Sequence, residues 1–345
     1  MAPCKILVLD GFAADQGEAG AWAELAALGA LTVHARTPAA LVAERCRGAG
    51  AVVITNKVVL DDAVLSAAPG LRYVGVSATG TNIVDVAAAR ARGIAVTNVP
   101  GYAADAVAQL TMALVLQLAL DVAGHSAAVK AGRWARAEDF CFFLRPLPEL
   151  GGKTLVVIGL GAIGRAVARM AAGFGMKVVA AAVPGSARGP AAADRIPLEQ
   201  ALPMADVVTL HCPLTPATTN LVDRAFLACL RRGALLVNTS RGGLVDETAL
   251  IEALASGQLG GAGLDVLTRE PPPDDHPLTD PRAPWADRVI VTPHIAWGHD
   301  RGARPPAPPG RREPTRVPRR PAPEPRRLNR FEMGTLLRWS ATWEA

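Results

Sequence analysis

Three polar residues stand where strand-like apolar runs end in the second half of the chain. Arg241 follows Ala234–Asn238 in the run Asn238-Thr239-Ser240-Arg241-Gly242-Gly243, Glu270 follows Gly263–Val266, and His294 follows Val289–Thr292 after Pro293. An arginine can hold a carboxylate through two parallel charge-assisted hydrogen bonds. A histidine can take and return a hydroxyl proton near neutral pH. A carboxylate beside that histidine fixes its tautomer and favours the protonated ring. Singly, each has an ordinary explanation: a surface arginine, a structural histidine, an exposed acid before Pro271-Pro272-Pro273. Together, at the carboxyl ends of strands where open α/β sheets bind ligands, they suit the interconversion of a 2-hydroxy acid and a 2-keto acid beside a nicotinamide.

A glycine turn supplies the place for that nicotinamide's carrier. Gly159-Leu160-Gly161-Ala162-Ile163-Gly164 follows the predicted strand Thr154–Ile158 and opens a predicted helix, Ala162–Phe174. In that context Gly159 allows the tight turn, Gly161 admits a pyrophosphate close to the backbone, and Gly164 lets helix and strand approach. The helix N-terminus offers free N–H groups to phosphate. The acidic residue expected after the next strand is missing, because Lys177–Ala181 runs into Ala182-Val183-Pro184-Gly185-Ser186-Ala187-Arg188. No carboxylate there repels a 2′-phosphate, so NAD and NADP are both admissible. Arg188 suits a 2′-phosphate contact and equally an ordinary surface position.

The elements that must carry these residues are short apolar runs alternating with helix-like segments. Lys5–Leu9, Leu31–His34, Ala51–Ile54, Tyr73–Val76 and Ile94–Thr97 read as buried parallel strands, a first doubly wound layer. Asn98-Val99-Pro100-Gly101 breaks the pattern, and a long helix is predicted from Ala103 to Ala128. A second series adds Lys177–Ala181 and Val207–Leu210 to the four strands already named, six in all.

Composition agrees with a large folded body. The chain has 345 residues, half of them apolar and 4% aromatic, which excludes global disorder and stacking platforms for single-stranded nucleic acid. Its net charge of +5 is not spread evenly: residues 299–345 hold 11 Arg against 5 acids, so the remainder is close to neutral. Residues 299–330 contain 9 Pro and only 5 apolar side chains, which predicts a disordered tail. The break at Gly298 is abrupt, and a reading-frame change in a GC-rich gene would produce it. Five dispersed cysteines without a C-x-x-C pair suit reduced thiols in the cytoplasm, and six histidines show no metal-ligand spacing. The N-terminal run ends in Asp10 and reads as a strand rather than a signal peptide, and no apolar stretch is long enough to span a bilayer.

Over roughly residues 50–297 these motifs resemble the D-isomer-specific 2-hydroxyacid dehydrogenase family. The resemblance rests on Gly159–Gly164, Ser240-Arg241-Gly242-Gly243, Leu264-Asp265-Val266 with Glu270-Pro271, and Thr292-Pro293-His294-Ile295-Ala296-Trp297. Ala78-Thr79-Gly80-Thr81-Asn82 and Asn98-Val99-Pro100-Gly101-Tyr102 look like the family's substrate loop and hinge. Thr55-Asn56-Lys57 and His294–Trp297 point more narrowly to the glycerate dehydrogenase (hydroxypyruvate reductase) group. The resemblance implies an α/β fold of two doubly wound parallel-sheet domains. These would be a flavodoxin-like substrate-binding domain over 1–99 and a Rossmann NAD(P)-binding domain over 100–297, with 298–345 as an atypical tail in place of the closing helix.

It implies Arg241, Glu270 and His294 as the catalytic set, and Ala78, Thr79, Gly80 and Arg241 as substrate-binding. Cofactor contacts are expected at Gly159, Gly161, Ala162, Ile163, Gly164, Thr239, the His211-Cys212-Pro213 run on the adenine side, and Asp265 at the nicotinamide amide. A homodimer through the long helix is also implied, with hydroxypyruvate/glycerate or glyoxylate/glycolate as substrates. The competing readings are a non-catalytic, corepressor-like dinucleotide-binding partner, against which the three polar residues argue, and a tail that binds nucleic acid.

Overall fold

The computed structural model describes residues 3–15, 20–186 and 195–298. Arg188 and the predicted tail beyond Gly298 lie outside the described residues. The described chain forms two compact units that divide between Tyr102 and Ala103, where the sequence placed the boundary after residue 99.

The first unit holds five parallel strands: β1 (Lys5–Val8), β2 (Ala30–Val33), β3 (Ala51–Ile54), β4 (Tyr73–Val76) and β5 (Ala95–Asn98). Their order, β2-β1-β3-β4-β5, is flavodoxin-like. Central strands bury apolar side chains on both faces, so they read as unbroken hydrophobic runs: Leu7, Val52, Ile54 and Val74 join one core cluster, Ile6, Val8 and Val53 another. Aspartates start the helices that cover the sheet. Asp61 accepts the Val64 N–H at 2.9 Å ahead of Asp62–Ser66, and Asp85 accepts the Ala88 N–H at 2.8 Å ahead of Val86–Ala91. At the carboxyl end of β1, buried Asp10 accepts the Thr55 N–H at 2.9 Å and so fixes the turn leaving β3.

The second unit holds six parallel strands: β6 (Thr154–Ile158), β7 (Lys177–Ala181), β8 (Val207–Leu210), β9 (Ala234–Asn238), β10 (Leu259–Leu264) and β11 (Val289–Val291). They run in the order β11-β10-β9-β8-β6-β7, with Ile196 adding a single bridge beyond β7 at Ala181. The order reverses beside β6, so the glycine turn leaves the sheet at its switch point, where ligands bind. The predicted fold class, two doubly wound parallel sheets, is the one observed.

Two elements differ from expectation. The predicted long helix is two, Ala104–Leu120 and Val122–Lys130, bent by 57° at Asp121. Asp121 takes φ +47°; its N–H closes the first helix on the Gln117 carbonyl at 2.8 Å, and its carboxylate caps the second at the Gly124 N–H, 3.2 Å away. Strand β10 begins at Leu259, well before the predicted Gly263, because glycines at 260 and 261 hide it in the sequence. Their small size serves packing: Leu114 and Leu118 of the first helix lie where side chains at Gly263 and Gly261 would stand. Among the described residues no single helix is long and apolar enough to cross a membrane.

Candidate active site

The polar residues singled out in the sequence gather along the carboxyl ends of β9, β10 and β11. His294 faces Glu270, with Nδ1 at 2.7 Å from Oε2. The ring therefore donates from Nδ1 and leaves Nε2 for other partners. Glu270 is held from behind as well, since its Oε1 accepts the Leu267 N–H at 3.0 Å. Burial alone would raise the Glu270 carboxyl. The His294 hydrogen bond and charge, the Leu267 N–H and the Arg241 charge together outweigh it and hold the group below its ordinary value. Glu270 thus stays anionic beside the imidazole throughout the neutral range.

The loop that presents His294 is strapped down by Asp265, which is 1% exposed. One Asp265 oxygen accepts the Thr292 hydroxyl at 2.6 Å and the Ile295 N–H at 2.9 Å; the other accepts the Ala296 N–H at 2.8 Å. The Asp265 carbonyl takes the His294 N–H at 2.9 Å, and the Trp297 indole donates to the His294 carbonyl at 2.8 Å. His294 itself sits at φ +53°, a left-handed conformation that only such surrounding bonds sustain in a non-glycine residue. The family resemblance implies Asp265 at a nicotinamide amide. Its carboxylate is spent first on the histidine loop.

Arg241 leaves β9 through a turn fixed by Asn238, which is fully buried. The Asn238 amide donates to the Arg241 carbonyl at 2.8 Å, and its oxygen accepts the Ser240 N–H at 3.0 Å. The Arg241 guanidinium donates to the Ser240 carbonyl at 2.7 Å. Thr239 is tied to the first long helix, its hydroxyl 2.9 Å from that of Thr111. Next to Arg241, Gly242 lies against the Leu267–Thr268 backbone so closely that a Cβ would collide with it. The arginine turn and the glutamate loop are therefore packed backbone to backbone. A cavity of about 560 Å³ opens beside Glu270 and His294, lined also by Leu278, Pro281 and Val289.

Beside β6 the geometry suits a dinucleotide. Gly159 has φ +101°, and a Cβ there would strike the His211 carbonyl. A Cβ on Gly164 would strike the Gly159 carbonyl. Gly161, by contrast, faces open space, with nothing within 4 Å of an added Cβ. It precedes Ala162–Gly173, a helix with no side-chain cap on its first N–H groups, so Ala162, Ile163 and Gly164 begin an anion-binding end. Both ring nitrogens of His211 are buried without a partner, and burial pushes the ring down to about 3, so it is neutral. An orphaned polar ring beside a backbone cradle with room at Gly161 is what a bound dinucleotide would complete. Cys212 is buried and its thiol is pushed up to about 11, so it packs as an apolar group ahead of Pro213.

In the first unit, Ala78, Thr79 and Gly80 form the turn that leaves β4. The Ala78 carbonyl accepts the Val99 N–H at 3.1 Å, and the Asn98 amide donates to the Thr79 carbonyl at 2.6 Å. The sequence placed Asn98 in the hinge run or an ordinary turn, and showed Asn238 and Gly242 only as neighbours of Arg241 with no role of their own. The signal for the last two was present as a strand ending in Asn and a glycine after the arginine, but neither type is diagnostic without the partner it meets. Among the described residues no three His, Cys, Asp or Glu side chains group to hold a metal ion.

Comparisons with known proteins agree with this geometry. A sequence model for "D-isomer specific 2-hydroxyacid dehydrogenase, NAD binding domain" matches residues 112–296. The chain is 39% identical over 299 residues to a hydroxypyruvate reductase of Blautia hydrogenotrophica, covering 85% of this chain and 90% of that one. It is 42% identical to a glycerate dehydrogenase of Methylorubrum extorquens, over 76% of this chain and 80% of the relative. Among solved structures, an NADPH-dependent glyoxylate/hydroxypyruvate reductase of Sinorhizobium meliloti in complex with NADP and malonate superposes with a TM-score of 0.71 at 29% identity, covering 86% of this chain and 88% of that one. A D-lactate dehydrogenase of Aquifex aeolicus complexed with NAD and lactic acid gives 0.72 at 27% identity, over 86% and 90%. The chain belongs to the D-isomer-specific 2-hydroxyacid dehydrogenase family of NAD(P)-dependent oxidoreductases.

Proposed function

We propose that this enzyme reduces hydroxypyruvate to D-glycerate, and glyoxylate to glycolate, with Arg241, Glu270 and His294 carrying the chemistry. The observation that carries the reading is the 2.7 Å pairing of His294 Nδ1 with an anionic Glu270 beside the Arg241 turn. Arg241 binds the substrate carboxylate as a planar two-pronged donor. Its charge orients the 2-keto group. A bound nicotinamide supplies the hydride in reduction and accepts it in oxidation. His294 gives the proton from Nε2 to the keto oxygen in reduction and takes it back in oxidation. Glu270 holds the ring by Nδ1, and the pairing keeps its own carboxyl anionic. Gly159, Gly161, Ala162, Ile163, Gly164, His211, Cys212, Pro213 and Thr239 would hold the dinucleotide, and Asp265 supports the nicotinamide end through the histidine loop.

No carboxylate lies among Ala181–Ser186 to repel a 2′-phosphate, so NADPH is admitted beside NADH. The narrower substrate choice rests on Thr55-Asn56-Lys57 and on the likeness to hydroxypyruvate reductase and glycerate dehydrogenase relatives. A homodimer is proposed because the segment after the bent helix pair exposes Trp134, Phe140 (88% exposed) and Phe143, more aromatic surface than a free face holds comfortably. A cytoplasmic setting suits five free cysteines. Initial rates with NADH and NADPH against hydroxypyruvate, glyoxylate and pyruvate test the reading. Hydroxypyruvate should give the highest kcat/KM. Folded protein with no turnover on any of the three would defeat it.

A further inference from the structure

Glu247 has no part in the chemistry above, yet it closes the base of the segment that carries Glu270. It opens the helix Glu247–Ala255, where the helix N-terminus favours a negative charge. Its Oε1 accepts the Thr268 N–H at 2.8 Å, and its Oε2 lies 3.2 Å from His276 Nε2. His276 Nδ1 faces the Leu278 N–H at 3.3 Å and accepts from it, so the ring proton sits on Nε2 and points at Glu247. Thr268 and His276 flank Glu270 on either side in sequence. One carboxylate therefore pins both stems of the segment whose middle meets His294. The other charged side chains of the segment, Arg269, Asp274 and Asp275, are exposed.

Leu267 and Leu278, just outside the stems, are both buried in the core of the second unit and fasten the segment's ends. What the apolar anchors leave undetermined is the path between them, and that path decides how closely Glu270 approaches the imidazole.

We propose that Glu247, acting through Thr268 and His276, is a positioning residue that sets the Glu270–His294 geometry without touching substrate or cofactor. The inference rests on the function proposed above. Glu247→Gln keeps an acceptor for the Thr268 N–H but turns an amide donor toward the His276 Nε2–H. His276→Asn removes the other half of the clamp. In both variants the kcat of hydroxypyruvate reduction should fall about ten- to hundredfold, the cost expected of a misplacement on the ångström scale. NADH affinity should stay at the wild-type value. The midpoint of the pH–rate profile should move in the same direction as in Glu270→Gln. Because the two residues act as one clamp, the double variant should cost no more than the worse single.

Wild-type kcat and an unmoved profile in both variants would overturn the proposal. So would a loss of melting temperature and NADH binding with the profile of the surviving activity unchanged, since that is a plain structural brace. If Glu247→Gln does not fold, His276→Asn decides alone. Turnover by the wild type with unaffected variants sinks this inference only, whereas no turnover by the wild type sinks the proposed function and this with it.

Discussion

The two halves of the second sheet hold their functional groups by different means. Beside β6 the glycine turn is shaped by backbone against backbone: Gly159 on the His211 carbonyl, Gly164 on Gly159. No side-chain charge is involved, and the result is a cradle whose central position, Gly161, is open. Beyond β9, β10 and β11 the arrangement is made by buried polar side chains. Asn238 folds the arginine turn, Asp265 straps the histidine loop, and Glu270 is gripped between Leu267 and His294. A cradle needs only shape, and shape is fixed by the absence of a Cβ. An acid–base pair needs a stated distance and a stated tautomer, and those take directional bonds from several residues.

The largest effect separating the halves should come from His294→Ala. Loss of the proton carrier should lower kcat/KM for the keto acid about 10²- to 10⁴-fold while NADH still binds, because the cradle is built elsewhere. Fluorescence titration with NADH beside steady-state rates would show it; a matching loss of NADH affinity would dissolve the distinction between the halves.

Within the cradle, Gly159 and Gly161 should differ sharply. Gly159→Val places a branched side chain at φ +101° and against the His211 carbonyl, and should destabilise the unit by about 3 kcal/mol or more, read as a fall in melting temperature. Gly161→Ala meets nothing in the protein, so melting should be unchanged while NADH affinity drops as the methyl enters the phosphate space. Equal melting losses at the two positions would show that the open space at Gly161 is not a ligand's.

A smaller effect is expected from Asn238→Ala. It leaves the Ser240 N–H without its partner and the Arg241 carbonyl with the Leu244 N–H alone, and should cost about 1–3 kcal/mol of stability by chemical denaturation. The KM for the keto acid should rise more than the NADH dissociation constant, since it is the arginine turn that loosens. An unchanged KM would remove Asn238 from the site.

This contrast also explains what the sequence revealed. The glycine turn was legible because close backbone approach admits one residue type, so necessity leaves a mark at fixed spacing. The strands were legible because both faces are buried, which gives unbroken Val/Ile/Leu runs. Arg241, Glu270 and His294 were legible only jointly, by their common place after strands. Their supports were not. Asn238, Glu247 and His276 are residue types that sit in many ordinary positions, and only the partner tens of residues away gives each its meaning. The bend at Asp121 was hidden for a related reason: apolar periodicity runs across it, and the cap is made by a side chain that also suits a helix surface. The early start of β10 was hidden because Gly260 and Gly261 serve close packing, against the Gly233 backbone and against Leu118, rather than strand propensity.

The central claim is that an anionic Glu270 bonded to His294 Nδ1 controls the proton that moves with the hydride. Reduction uses the protonated ring and oxidation the neutral ring, so kcat/KM for hydroxypyruvate should fall, and that for D-glycerate rise, as pH increases through a shared midpoint. Glu270→Gln takes away the carboxylate that His294 helps hold below its ordinary value, so both midpoints should move together to lower pH. The pH–rate profiles of wild type and Glu270→Gln in both directions are the measurement to make. Midpoints that stay in place, or that move apart, would contradict the account.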